Sequence, residues 1–150
     1  MISRILVPHD GTEMSDKALA KAVELAKAFN AQVTLLNIIE QIPIPSSIML
    51  GGDPVLIKRA RRSVIRELEQ GWNKFAELKE HELEREKVSA TSACLVGNAA
   101  DQILRYSKNN KIDMIVMASA RLKGLYKLKA LGSVTRKVSE MADCPVLIIH

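Results

Sequence analysis

Asp10, in the run ILVPHDGT, is the first residue whose type and position can do chemistry. It directly follows a short aliphatic stretch. A carboxylate there can accept from a base or a ribose, ligate a divalent cation such as magnesium, or organise the turn. Gly11 permits a sharp change of direction, and Thr12 or Ser15 offers a hydroxyl to cap a following helix. The second place is Gly132-Ser133, which opens a segment of helical period. Free backbone N–H groups point outward at a helix start, and the helix dipole favours an anion. Between Ser119 and Lys137 lie Arg121, Lys123, Lys127, Lys129, Arg136 and Lys137 with no carboxylate among them. The alternative reading is an ordinary N-cap at Ser133 among solvated cations.

Other chemistries lack their usual residues. The chain has no GxxxxGK(S/T), no GxGxxG and no GxSxG. P-loop phosphoryl transfer, the common dinucleotide fingerprint and a nucleophile-elbow hydrolase therefore have no motif to rest on. His9, His81 and His150 are scattered, and nothing in their spacing brings a base, an orienting acid and a nucleophile together. No catalytic residue is assigned. His9, just before a turn, could approach a ligand, but a lone histidine there is more often structural. Cys94 and Cys144 stand fifty residues apart without CxxC spacing, which predicts reduced core thiols rather than a metal site or a disulfide.

The elements that position these residues follow from composition and periodicity. A chain of 150 residues predicts one domain, 1–150. With 47% hydrophobic and 26% charged residues it has ordinary globular composition, against disordered or fibrous classes. Aromatics make up only 3%, so the core must be aliphatic and stacking platforms for single-stranded nucleic acid are scarce. The net charge of +5 resides in the basic segment near Gly132, since a second run, Lys58 to Arg66, is offset by the acids from Glu67 to Glu86. The first apolar run is too short for a signal peptide and none approaches a membrane span, which predicts a cytoplasmic protein.

Ile2–Val7, Val33–Ile39, Ile112–Met117 and Val146–Ile149 are continuous aliphatic runs, the pattern of strands buried on both faces; Val88–Val96 alternates more and predicts a fifth. Between them Ala18, Ala22, Leu25, Ala26 and Phe29 share a helical stripe, as do Ala99 or Ala100 with Ile103 and Leu104, and Val134 with Val138 and Met141. The longest helix, about Pro54 to Arg85, lines up Ile57, Val64, Leu68, Trp72 and Phe75. Strict β-α alternation predicts an α/β fold: a five-stranded parallel, doubly wound sheet with four helices. Ligands of such sheets lie beyond the carboxyl ends of the strands. That directs attention to Pro8–Thr12, Ile39–Asp53, Gly97 with Asn98, and Ala118–Ser133. Glu40–Asp53, with three prolines and Gly51-Gly52, reads as an irregular connection able to serve as a lid.

From end to end the chain resembles the universal stress protein family. The opening strand and turn match as ILVPHDGT, the fourth strand as IDMIVMA, and the ending as GSVTRKVSEMADCPVLII. The resemblance implies a Rossmann-like domain, often a homodimer through its last strand, whose nucleotide-binding members hold ATP or AMP. It implies that Asp10 addresses ribose, directly or with magnesium, in a turn shared with Gly11 and Thr12. The backbone of Ile38 or Ile39 would meet adenine, Pro8 and Met117 would form apolar walls, and Ser133 and Val134 would meet the phosphates. The family's glycine-rich loop, Gly-x2-Gly-x9-Gly-Ser/Thr, matches only at Gly132-Ser133. Ala118 replaces the first glycine, Arg121 or Leu122 the second, and the segment is one residue longer; Ser119 and Arg121 remain in its course.

Two functions compete. One is a regulatory protein of the stress response that binds ATP or another adenine nucleotide, with at most slow hydrolysis. The other is a dimeric interaction module that has lost nucleotide and docks a protein partner. Nucleic acid ranks behind both, because the basic segment would bind any polyanion and aromatics are few.

Overall fold

The computed structural model describes residues 1–41, 51–119 and 132–150. Its elements alternate strictly: β1 (Arg4–Pro8), α1 (Glu13–Phe29), β2 (Gln32–Ile39), α2 (Pro54–Arg85), β3 (Ala90–Val96), α3 (Ala99–Asn109), β4 (Met114–Ala118), α4 (Ser133–Met141) and β5 (Val146–Ile149). The five strands form one parallel sheet in the order β3-β2-β1-β4-β5, which is the expected doubly wound α/β fold.

Strand composition and position in the sheet agree. Ile5, Leu6 and Val7 of β1, with Ile115 and Val116 of β4, have no exposed surface because each strand is flanked by strands and covered by helices on both faces. One face packs Ala18, Ala22 and Val23 of α1 and Trp72, Ala76 and Leu83 of α2. The other packs Ala100 and Ile103 of α3 and Val138 of α4. Small alanines on α1 let that helix lie close over the sheet. Its start is capped by Thr12, whose Oγ1 accepts from Ser15 N, and its end by Asn30 in the left-handed region at φ 54°.

Three strands begin later than the apolar runs suggest, at Arg4, Ala90 and Met114. At β1 the reason is a side chain. The Asp113 carboxylate, through Oδ2, accepts from Ser3 N at 2.9 Å, Ser3 Oγ at 2.8 Å and Arg4 N at 2.9 Å, replacing the start of a ladder with a clamp between the β1 and β4 ends. Those bonds, led by that from Ser3 N, hold its carboxyl below the usual range.

The long helical stripe is only partly core. Thirty-two residues of α2 span about 48 Å, whereas the seven residues of neighbouring β3 span about 23 Å. One sheet cannot cover such a helix, and Val64 and Leu68 stay 46% and 48% exposed while Trp72 is buried. Phe29 and Met141, at helix ends, are exposed as well. The two thiols are free but half-buried rather than core: Cys94 lies on edge strand β3 and Cys144 in the turn before β5. Burial, with Glu69 nearby, pushes the Cys94 thiol up. Among the described residues no helix is long and apolar enough to cross a membrane.

Candidate functional site

The strand order reverses between β1 and β4, and the two pair over Ile5↔Met114 and Leu6↔Ile115, below the carboxyl end of β1. Pro8–Thr12 emerge on one side of this reversal and Ala118–Ser119 on the other, the arrangement in which α/β sheets hold ligands. β2 continues three residues past its last pair with β1, Pro8↔Leu36, and ends at Ile39. Ile38 is half-buried and Ile39 buried. The Ile39 carbonyl already accepts from Gly97 N at 3.0 Å.

On the β1 side the loop is built around one carboxylate oxygen. Asp10 Oδ1 accepts from Thr12 N at 3.0 Å, Thr12 Oγ1 at 2.6 Å and Ser15 Oγ at 2.6 Å. All three bonds converge on Oδ1 rather than Oδ2. Gly11, at φ +81°, makes the reversal that brings Thr12 back under Asp10, a backbone region costly for any other residue. Burial pushes the Asp10 carboxyl up, but the bonds from Ser15 and Thr12 outweigh it, and the group titrates below the usual carboxylate range. Asp10 is thus an ionised acceptor at the mouth of the sheet that organises the turn through Oδ1.

His9 fastens this loop to two helices. Its Nδ1 accepts from Gly11 N and its Nε2 donates to Asp16 Oδ1, both at 3.0 Å; the tautomer follows because a backbone N–H can only donate. Its ring lies 5.1 Å from the Phe75 ring and 6.0 Å from Trp72, both on α2, and Lys79 Nζ stands 3.8 Å from Asp16. Asn37 Nδ2 donates to the His9 carbonyl at 2.9 Å. Burial lowers the His9 pKa and outweighs the opposing pull of Asp16, so the imidazole is neutral. Trp72 Nε1, buried beside it, has no hydrogen-bond partner among the described residues.

On the β4 side, Ala118 is half-buried at the strand end and its carbonyl accepts from Thr135 Oγ1 at 3.4 Å, which ties the first turn of α4 to β4. Gly132, not Ser133, is the N-cap, and it offers no side chain to the first N–H groups of the helix. Ser133 is exposed and Val134 half-buried. Met117, expected as an apolar wall, is only 4% exposed and packs in the core under α3 and α4. Of the six cations, Arg136 pairs with Glu140 at 3.3 Å and Lys137 with Asp101 at 2.7 Å. Arg121, Leu122, Lys123, Lys127 and Lys129 lie outside the described residues, as does 42–50 of the expected lid. Among the described residues no hydrogen bond joins the Asp10 loop to the α4 start, and no group of three His, Cys, Asp or Glu could hold a metal.

Residues 1–150 match the sequence pattern of the universal stress protein family over the whole chain. The chain belongs to that family. Among curated relatives, universal stress protein YxiE of Bacillus subtilis strain 168 is 34% identical over 153 residues, covering 100% of both chains. Among solved structures, universal stress protein UspA from Lactobacillus plantarum superposes with a TM-score of 0.83 at 21% identity, covering 99% of this chain and 97% of that one. A universal stress protein from Archaeoglobus fulgidus solved in complex with dAMP superposes at 0.61 with 16% identity, covering 100% and 98%. These last two likenesses concern the fold.

Two features of this family member escaped sequence reasoning. The His9 clamp depends on Asp16, one helical turn into α1, and on Lys79 and Phe75, more than sixty positions away. The other is a contact between Ser119 and His150, thirty-one positions apart. The first is created by two helices meeting the loop after β1, and the second by neighbouring strand ends.

Proposed function

We propose that this chain binds an adenine nucleotide, ATP or AMP, across the ends of β1 and β4 and acts as a nucleotide-responsive regulator in the stress response. The observation that carries the reading is the fixed, ionised Asp10, with Oδ1 committed to Thr12 and Ser15, on the opposite side of the strand reversal from an α4 start without a side-chain cap. In this reading Oδ2 accepts from a ribose hydroxyl, the backbone of Ile38 or Ile39 meets the base against Pro8, and the N–H groups of Ser133 and Val134 meet phosphate. Ala118 and Ser119 border the phosphates, with Gly11 and Thr12 framing the ribose. Any magnesium arrives with the phosphates, held by them and by Asp10. The dAMP bound to the Archaeoglobus relative supports the same ligand class. In this reading Arg121, Lys123 or Lys127 of the basic segment supplies charged donors in place of the missing glycine N–H groups.

The test is mass spectrometry of what denatured protein releases after purification without added nucleotide, joined to calorimetric titration with ATP, AMP and adenosine. A released adenine nucleotide, or affinity rising from adenosine to ATP, is the expected result. Empty protein that binds none of the three overturns the reading.

The second reading is an interaction module without nucleotide. Ala118 at the end of β4, in place of glycine, favours it, because a Cβ limits how closely a phosphate approaches the backbone. Both readings share a homodimer through β5, whose free edge follows β4 at the side of the sheet. Both also share a cytoplasmic setting.

A further inference from the structure

The charges of α2 are ordered along one side of the helix. Arg59, Arg62 and Arg66 follow each other at spacings of three and four, and eighteen residues later Glu77, Glu80 and Glu84 repeat the same spacing. Eighteen residues are five full turns of a helix with 3.6 residues per turn, so the three carboxylates stand on the same stripe as the three guanidinium groups. All six are exposed except Glu80, which is half-buried. Among the described residues Glu84 pairs with His81 of the same helix at 3.4 Å, and the other five charges form no ion pair. Residues 42–50 and 120–131 contain no carboxylate that could serve the arginines.

The stripe lies on the outer flank of the helix. Trp72, Ala76 and Leu83 form the ridge that is buried on the sheet. Phe75 and Lys79, to one side of that ridge, meet His9 and Asp16 and so face α1. The charged stripe is on the other side, toward β3, and Glu69 between ridge and stripe stands near Cys94 of that strand. β3 is an outermost strand of the sheet, and among the described residues no strand pairs with its outer edge.

Turned end for end, the stripe is its own complement. A second copy of α2 running antiparallel sets Arg59 opposite Glu84, Arg62 opposite Glu80 and Arg66 opposite Glu77, all three pairs being centred at residues 71–72. A two-fold axis at that point makes each pair twice. A parallel arrangement in register sets arginine on arginine. The fold places the edge strand on the same axis. Val88 N donates to the Leu83 carbonyl at 2.9 Å, which puts the helix end level with the start of the next strand. From that joint the stripe's centre is about 17 Å along the helix, and Ala93, the middle of β3, is about 16 Å along the strand. One two-fold axis therefore sets both the α2 helices and the β3 edges of two copies antiparallel.

We propose that this flank of α2 is a self-recognition surface on which a second copy of the chain docks antiparallel through the Arg59–Glu84, Arg62–Glu80 and Arg66–Glu77 contacts. The surface is at the opposite edge of the sheet from β5 and needs neither bound nucleotide nor a dimer through β5. Exposed ion pairs are individually weak and are screened by salt, so the association is of low affinity and is strongest at low ionic strength. Where both edges are occupied, dimers join into larger assemblies.

The experiment is sedimentation equilibrium of the full chain at up to about 0.5 mM protein, at about 20 mM and about 500 mM ionic strength. Native protein is compared with the double variants Arg59→Glu with Arg66→Glu, and Glu77→Arg with Glu84→Arg, all at exposed positions. Each is measured again with Ile148→Lys, so that association through β5 is read apart from association through α2. Native protein should self-associate at low salt and do so roughly tenfold more weakly at high salt. Each double variant alone, with like charges facing at two of the three contacts, should associate roughly tenfold more weakly than native at low salt. An equimolar mixture of the two restores an Arg–Glu pair at every contact and should associate at least as tightly as native protein. Misfolded variants could not rescue each other in this way. No native association at the highest concentration in low salt, indifference to salt, double variants that associate like native protein, or a mixture no tighter than its components overturns the proposal. Association lost in the arginine variant but kept in the glutamate variant points to a separate acidic ligand of the first half of α2 and overturns it as well.

Discussion

His9 Nε2 donates to Asp16 Oδ1 at 3.0 Å, which locks the loop after β1 to the first turn of α1 while the same ring packs against Phe75 of α2. The loop that carries Asp10 is therefore braced from two helices at once. A buried imidazole in this position is a stability device with a defined pH response.

Because the folded-state pKa of His9 is lowered, led by burial, the unfolded chain binds its proton first as pH falls. Stability from this group is fully present above the ordinary histidine value of about 6.5 and is lost as pH falls toward the folded value. Chemical denaturation at about pH 7.5 and about pH 5.5 should show the native protein losing more stability than His9→Asn. Equal losses would show that His9 is not the titrating brace.

Asp10→Asn should affect both ligand and loop. The amide keeps an acceptor but loses the charge that receives three donors, so loss of a charge-assisted bond should weaken nucleotide binding by about 1.5–3 kcal/mol. Weaker ordering of Thr12 should cost α1 capping up to about 1 kcal/mol. Calorimetry and urea denaturation separate the two effects. Unchanged ATP affinity at fixed salt and magnesium would confine Asp10 to the turn.

Dimerisation through β5 can be probed with little disturbance of the core. Leu147 and Ile149 pack against the α1-side cluster, whereas Ile148 belongs to neither core cluster. Ile148→Lys should convert a dimer to a monomer by sedimentation at micromolar concentration, with little loss of helical content. A native protein that is already monomeric there would refute the edge-strand dimer.

The overhang of α2 predicts unequal costs along one stripe. Leu68→Lys, at a half-exposed position, should stay within about 0.5 kcal/mol. Leu83→Ala, 3% exposed where the helix meets the sheet, should cost about 2–5 kcal/mol. Comparable costs would mean that something covers the upper stripe in solution.

The sequence by itself determined the α/β alternation, the number of strands and the place of Asp10 and Gly132-Ser133 at their carboxyl ends. Aliphatic runs such as Ile5-Leu6-Val7 are stable only between two helical layers, and hydroxyl and glycine residues mark where helices start and turn; both constraints act over a few residues. It also determined family membership, through motifs each contained in one element. What only the tertiary structure decided is which side chains meet across elements. Periodicity gave Leu68 and Trp72 the same stripe, but the length of β3 set which one is covered. Met117 and Ala118 adjoin in sequence, yet strand alternation sends one into the α3–α4 core and packs the other, half-buried, against the α1–α2 side. The distant partners of His9 and His150 were invisible for the same reason: Phe75 and Ser119 reach them only after crossover connections bring separate strand ends and helix faces together, while Asp16, seven positions on, meets His9 only once the turn at Gly11 leads into α1. A hydrogen bond depends on distance in space, and spacing along the chain carries no record of it once a crossover intervenes.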